Sequence, residues 1–435
     1  MGSFRQTGAD VSGVRLSEPV EGVWWLCPLW LMVFFIIPLY GLVYLIGDLN
    51  SKELTIRGLR FLDFGYLMLG LSMLLMMSLG AWLGGLLKFE RNTEYMDGRW
   101  EGALLTIGLM CVCAYVFWFK EIFFSPATLL KIFTGGGRPS RTDIGAVKGV
   151  TSIVSFLPVY FSLVAHIWTS YPERMTRRLR ALTWVLVGLT IFRVYIWSER
   201  LALIELMCSV ALPITFYVQN RVHHKAIKRL LPVLPFLAIP VLLLYFGVFE
   251  FFRSWQSNFY NGKSEFWGFA AGRLGTYYYT ALNNGAGLLA TSNWPTYQFE
   301  HTLSWLHKAP AGLGRIFDYY TNFQSSGSGV FLSTYGDPEF NNPSGIFTVI
   351  VDMGLAPALL YFFLFGFVAG ALYRAYAYGR VVAVVIYPIF FIALLEVMRI
   401  PYLGASRAFT AVLGAGFALL IIRSGRSRKA VLSHA

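Results

Sequence analysis

Ten apolar runs of 17 to 28 residues recur along this 435-residue chain: Trp24 to Gly47, Leu62 to Leu87, Gly102 to Phe124, Gly149 to Ser170, Ala181 to Trp197, Leu201 to Val218, Leu230 to Phe252, Ile346 to Tyr373, Val381 to Val397 and Ala405 to Ile422. Each is long enough to cross a hydrocarbon core of about 30 Å as a helix, which takes about 17 to 25 residues. The bilayer core offers the backbone no hydrogen-bond partners, so runs of this length fold as helices that satisfy their own N–H and C=O groups. The expectation is an all-α, polytopic membrane protein with about ten spans. The fifth and ninth runs, 17 residues each, are the shortest, so nine or eleven spans are also compatible. Composition agrees: 56% hydrophobic and only 14% charged residues exclude a soluble globular domain.

The first run follows a polar N-terminus without a small-residue cleavage site, which reads as a retained span and not a removed signal peptide. Cys27, Cys111, Cys113 and Cys208 all fall inside the runs, and Cys111 and Cys113 point to different helix faces. Neither a disulfide nor a metal site is expected. Basic clusters at Arg174 to Arg180, Arg221 to Arg229 and Arg423 to Lys429 share one side, which the positive-inside rule makes the cytoplasm. With ten spans both termini then lie inside. The chain divides into a seven-span bundle (1–252), a 93-residue outer segment (253–345), three further spans (346–422) and a basic cytoplasmic tail (423–435). In a bacterium the membrane is the inner one and the outer segment is periplasmic.

The net charge of +13 (36 minus 23) does not point to nucleic acid, because the basic residues are split among loops. Facing anionic lipid accounts for the inner ones. On the outer side stand Arg57, Arg60, Arg138, Arg141, Arg200, Arg253, Arg273, Arg315, Arg399 and Arg407, where that rule gives them no reason to be. Three-residue spacing makes ion pairs of Arg60 with Asp63, Arg253 with Glu250 and Arg399 with Glu396. Arg193, inside the fifth run, either snorkels toward Trp197 and Arg200 or pairs with Glu205. Arg138, Arg141, Arg200 and Arg407 have no carboxylate three or four residues away, and planar guanidiniums at outer helix ends suit a phosphate.

The outer segment holds 20 aromatic residues, with five Lys or Arg against five Asp or Glu. It is expected to lie on the membrane. Phe266 to Leu289, with Arg273 and Tyr277-Tyr278-Tyr279, reads as an interfacial helix, and Asn283-Asn284-Gly and Ser325 to Gly329 as turns. Rings such as Tyr277, Tyr278, Trp294 and Trp305 are ordinary belt residues at an interface, and they also offer flat apolar faces to sugar rings.

The segment closes on Asn341-Asn342-Pro-Ser-Gly-Ile-Phe347-Thr348-Val-Ile-Val-Asp352-Met-Gly354, then a helix ending Gly366-Phe-Val-Ala-Gly370-Ala-Leu-Tyr373-Arg374. In this order and placement the chain resembles the bacterial oligosaccharide repeat-unit polymerases of the Wzy type, whose helical membrane fold is similar to that of the C-type glycosyltransferases. The likeness covers nearly the whole topology: many spans, a large late periplasmic loop and arginines in periplasmic loops. Arg138 followed by Gly149 matches one motif of the family.

The resemblance implies transfer of a growing glycan from polyprenyl pyrophosphate onto another lipid-linked repeat unit, on the outer face of the membrane. The implied partners are lipid-linked glycan donor and acceptor, the bilayer and a chain-length regulator, with no cofactor and no nucleic acid. Such chemistry needs a pyrophosphate cradle, here assigned to Arg138, Arg141, Arg200, Arg273 and Arg407, and alignment of the acceptor hydroxyl. No Asp-x-Asp pair stands on the outer side, which agrees with metal-independent, inverting transfer. Tyr277, Tyr278, Trp294 and Trp305 are the glycan-binding candidates. For a base the loop offers Glu339, Asp337 and His301, with Glu300 and His307 behind them. Related O-antigen ligases carry a His-Asn pair where this chain has Asn341-Asn342-Pro343, which argues against a ligase. A flippase would show related halves, and no internal repeat is evident.

Overall fold

The computed structural model of the protein describes residues 22–54, 59–90, 99–134, 147, 149–197, 199–222, 224–251, 265–323, 327–336 and 340–432. All regular structure among them is helical. Among the described residues nine helices are long and apolar enough to cross a membrane: α1 (Pro28–Leu49), α2 (Phe64–Gly85), α3 (Trp100–Phe123), α4 (Thr151–Ser170), α5 (Arg177–Trp197), α6 (Arg200–Arg221), α7 (Lys225–Tyr245), then α13 (Leu355–Ala377) and α15 (Ser406–Ser424). Between α7 and α13 lie α8 (Phe266–Thr291), α9 (Ser304–His307), α10 (Leu313–Tyr320), α11 (Gly327–Thr334) and α12 (Phe347–Met353). The ninth apolar run forms α14 (Val381–Glu396), whose 16 residues rise only about 24 Å.

α4 is the most enclosed span and packs against α3, α6, α14 and α15. One polar contact explains how α14 keeps a proline at its centre. Pro388 has no N–H to give the carbonyl of Val384, and Ser162 of α4 donates its hydroxyl there instead, at 2.7 Å. α2 and α13 form the most extensive helix pair. Gly80 and Gly84 on one and Gly366 and Gly370 on the other sit where the partner backbone passes, so a Cβ at any of them would collide with a carbonyl oxygen of the facing helix. Small residues four apart let membrane helices touch backbone to backbone.

Three expectations for the outer segment change. The eighth apolar run is broken: Gly354, at φ 86°, ends α12 and starts α13, so Asp352 sits in a separate seven-residue helix ahead of the span. The 28-residue run was longer than a bilayer needs, and the excess forms α12. The Asn283-Asn284-Gly turn is helical instead. α8 runs through it, and every residue from Tyr279 to Leu289 is buried. Nor is α8 merely interfacial, since its second half is enclosed by neighbours including α1 and α12. The two amides are tolerated because the fold satisfies them. Asn283 accepts from the N–H groups of Phe61 and Leu62 at 2.8 and 3.0 Å and donates to the Leu59 carbonyl at 3.0 Å. Asn284 donates to the carbonyls of Phe340 and Asn342 at 2.9 and 3.1 Å.

Candidate functional site

α8 to α12 gather at one end of the bundle, hereafter the loop end, and beneath them the charged residues of four helices converge. Glu199, at the joint between α5 and α6, is the hub: its carboxylate accepts two bonds of 2.7 Å from Arg193 and a further one from Arg407. Arg407 also faces Glu205 of α6 at 3.4 Å, and Tyr402 donates to that same carboxylate oxygen at 2.7 Å. Beside them Arg399 binds both oxygens of Glu396, at 2.9 and 2.7 Å, and donates to the Tyr277 hydroxyl. The Tyr277 ring carries two guanidiniums, Arg399 at 4.1 Å and Arg200 at 5.6 Å from its centroid. Among the described residues this gives Arg193, Arg200, Arg399 and Arg407 against Glu199, Glu205 and Glu396.

Isolated charges at this depth cost several kcal/mol each, and pairing makes them tolerable. Arg193 is 4% exposed, Glu205 5% and Glu396 3%. Arg193 adds a cation–π contact with Trp118, 4.8 Å from the ring. For Arg399, burial works against the charge, but Glu396, Tyr277 and Tyr278 more than offset it and hold its pKa above the ordinary value. Burial pushes the Tyr278 hydroxyl up to about 12, so it stays a neutral group at physiological pH. A cavity of about 10 Å³, room for one water, lies beside Arg193 and Glu205.

Of the five arginines assigned to the phosphate, Arg200 and Arg407 meet in this cluster. Arg273 lies at its edge, its guanidinium 4.3 Å from the Phe340 ring, which in turn packs edge-on against Tyr277 at 5.9 Å. Arg138 and Arg141 lie outside the described residues, as do Arg57, Arg253, Asp337 and Glu339. The proposed glycan residues divide. Tyr277 is in the cluster, and Trp305 of α9 stacks on Phe409 of α15, two residues from Arg407, with ring centroids 3.7 Å apart. Trp294, 42% exposed, precedes Pro295, which packs against Gly354 at the α12–α13 break.

The loop histidines are anchors. His307 points Nδ1 at Asp318, 2.6 Å away, and Nε2 at the Gln298 carbonyl, 2.9 Å away, so both ring nitrogens are engaged. His301 is buried and its backbone N–H donates to Asp352 at 3.0 Å. The same Asp352 oxygen, Oδ2, accepts from the N–H and hydroxyl of Thr302 at 2.7 and 2.8 Å. Asp352 is thus the peg that holds the loop to α12. Its other oxygen has no hydrogen-bond partner among the described residues, and burial raises its pKa despite the opposing His301 and Thr302. Glu300 accepts from the Ser328 hydroxyl.

Three pairings differ from the spacing rule. Arg60 binds Asp48, because Asp63 is taken as the N-cap of α2, accepting from Tyr66 N at 2.9 Å. Arg193 binds Glu199 and not Glu205, which Arg407 and Tyr402 occupy. Arg407, which has no carboxylate near it in sequence, receives two from far along the chain, Glu199 and Glu205. Glu396 and Arg399 pair as spaced. Sequence reading missed Glu199 as the hub. The available signal was its place in a three-residue joint between two apolar runs, where one carboxylate reaches arginines of both neighbours. No protein-family model, curated protein or solved structure matches this chain.

Proposed function

We propose that this protein is a membrane glycosyltransferase that polymerises polyprenyl-pyrophosphate-linked oligosaccharide repeat units, with its loop end on the periplasmic face of a bacterial inner membrane. The observation that carries the reading is the convergence of Arg193 of α5, Arg200 of α6, Arg399 from the joint after α14 and Arg407 of α15 under an aromatic-rich loop. Guanidiniums so placed stabilise the charge that grows on a departing pyrophosphate.

In this reading Glu199, Glu205 and Glu396 hold the arginines in position while the site is closed, and a diphosphate headgroup takes over some of their donors when it enters. The acceptor hydroxyl attacks the anomeric carbon opposite the leaving group; the new C–O bond forms as the bond to pyrophosphate breaks, with inversion. The hydroxyl proton passes to a loop carboxylate, for which Glu300, Asp337 and Glu339 remain candidates. His307 has no ring nitrogen to spare, whereas His301 gives Asp352 its backbone N–H, so its imidazole stays a fourth candidate. Trp305 and Tyr277 border the sugar path.

The test is purified protein supplied with lipid-linked repeat units in detergent. A ladder of longer lipid-linked glycans is expected. Transfer only to a different acceptor would identify a ligase, and absence of any covalent product would refute the enzyme reading in favour of transport.

A further inference from the structure

A second cavity lies at the opposite end of the bundle from the loop, about 27 Å along α3 from Trp118 at a rise of 1.5 Å per residue. Its volume is about 400 Å³, within the range of small-ligand pockets. Arg99 and Arg174 stand on its lining, with Trp100, Ile167 and Leu179 as apolar walls. Glu101, the one carboxylate among its described lining residues, accepts from the Thr176 hydroxyl at 2.8 Å. Arg174 lies over the Tyr171 ring at 5.6 Å, which orients it. The first turn of α3 also opens here. Gly102 leaves the backbone there accessible, the Arg99 Cβ being the nearest described atom, 3.9 Å from where its own Cβ would be. Arg177, Arg178 and Arg180 follow at the same end and bias the local field toward anions.

Two guanidiniums lining the same cavity as an indole and aliphatic walls match an amphiphile with an anionic head. A free ion would leave the apolar walls unused. We infer that this cavity binds the phosphate headgroup of an anionic phospholipid from the leaflet opposite the loop. Arg99 and Arg174 hold the phosphate, and Trp100, Ile167 and Leu179 contact the glycerol and first acyl carbons. The site is independent of the arginine cluster at the loop end.

The experiment uses full-length protein in nanodiscs of phosphatidylcholine doped with phosphatidylglycerol, followed by native mass spectrometry of retained lipid. Wild type is expected to retain phosphatidylglycerol preferentially, and the Arg99→Ala/Arg174→Ala variant to lose about tenfold or more in occupancy-derived affinity. Arg177→Ala/Arg178→Ala, which removes equal charge outside the cavity, is expected to retain it. Equal loss in both variants, or no loss in the first, overturns the site. Gly102→Leu fills the cavity and keeps both arginines, so retained lipid in that variant also overturns it and covers the case in which the double variant fails to fold. Competition by glycerol phosphate or inorganic phosphate at concentrations comparable to the lipid would show that a soluble phosphate, and not a lipid, is the ligand.

Discussion

Gly285→Ala should loosen the outer loop, and the geometry sets the size of the effect. A Cβ at Gly285 would stand 2.5 Å from the Ser344 Cβ, 2.7 Å from the Pro343 carbonyl oxygen and 3.0 Å from the Phe347 ring. Carbon atoms pack at about 3.5 to 4.0 Å, so the first contact alone is short by about 1 Å. The two nearest obstructing atoms are a Cβ and a backbone carbonyl oxygen, which cannot swing aside as a long side chain could. Ser344 already holds a left-handed φ of 71°, unusual for a serine, and its hydroxyl and carbonyl bind Ile346 N and Thr348 Oγ1. Overpacking of this kind costs about 1–3 kcal/mol. The same helix contains its own control: Gly272 and Gly275 have nothing within 4 Å, so alanine there should stabilise α8 by about 0.5–1 kcal/mol through the unfolded chain. The assay is unfolding by SDS titration in mixed micelles, with protease protection of residues 340–346 read in parallel. Gly285→Ala should lower stability and expose that segment, and Gly272→Ala and Gly275→Ala should do neither. Equal shifts in all three would refute the claim that α8 and the loop pack in van der Waals contact at Gly285.

Three further perturbations probe other joints. Glu199→Gln strips the shared counter-charge from Arg193 and Arg407, and one-sided loss in a buried pair costs about 3–5 kcal/mol; an effect well below 1 kcal/mol in the same titration would place the pair in the exposed regime. Asn283→Ala removes three bonds to the backbone of residues 59–62, and hydrogen–deuterium exchange there should accelerate with a loss of about 2–4 kcal/mol; unchanged exchange would contradict the clamp. Asp352→Ala should release the loop to protease while Asp352→Asn, which keeps an acceptor for His301 and Thr302, should not. Because the folded pKa of Asp352 is raised above its ordinary value near 3.8, ionisation opposes folding, and that penalty fades as pH falls through the folded pKa toward 3.8. Loop protection in wild type should therefore gain on that of Asp352→Asn as pH drops from 7 to 4, and a relative loss would reverse the sign.

The spans were legible because the bilayer fixes both the length and the composition of what can cross it. Nine of the apolar runs correspond to membrane-length helices or to a helix that begins late within the run, and the remaining one forms the short α14. What length and composition leave open is the interior of the outer segment. Asn283-Asn284-Gly carries a strong local turn signal, and it folds as helix because backbone groups of residues 59–62 and 340–342 come from far along the chain to meet the amides. Gly354 breaks the eighth run without interrupting its hydrophobicity, so only the excess length betrayed the break. The arginines stood out as misplaced charges, but their partners lie up to 208 residues away, as for Arg407 and Glu199, and spacing rules reach only one helical turn. The carboxylate arms of the cluster were therefore the least readable part of the site.

The most direct test of the arginine cluster as a diphosphate site is photocrosslinking with a polyprenyl diphosphate bearing a photoreactive group beside its phosphates. Crosslinks are expected on Tyr277, Trp305 and the segment from Arg399 to Phe409, and they should weaken sharply in Arg407→Ala reconstituted at equal abundance. Labelling that avoids these residues, or that is unchanged in Arg407→Ala, would contradict the account.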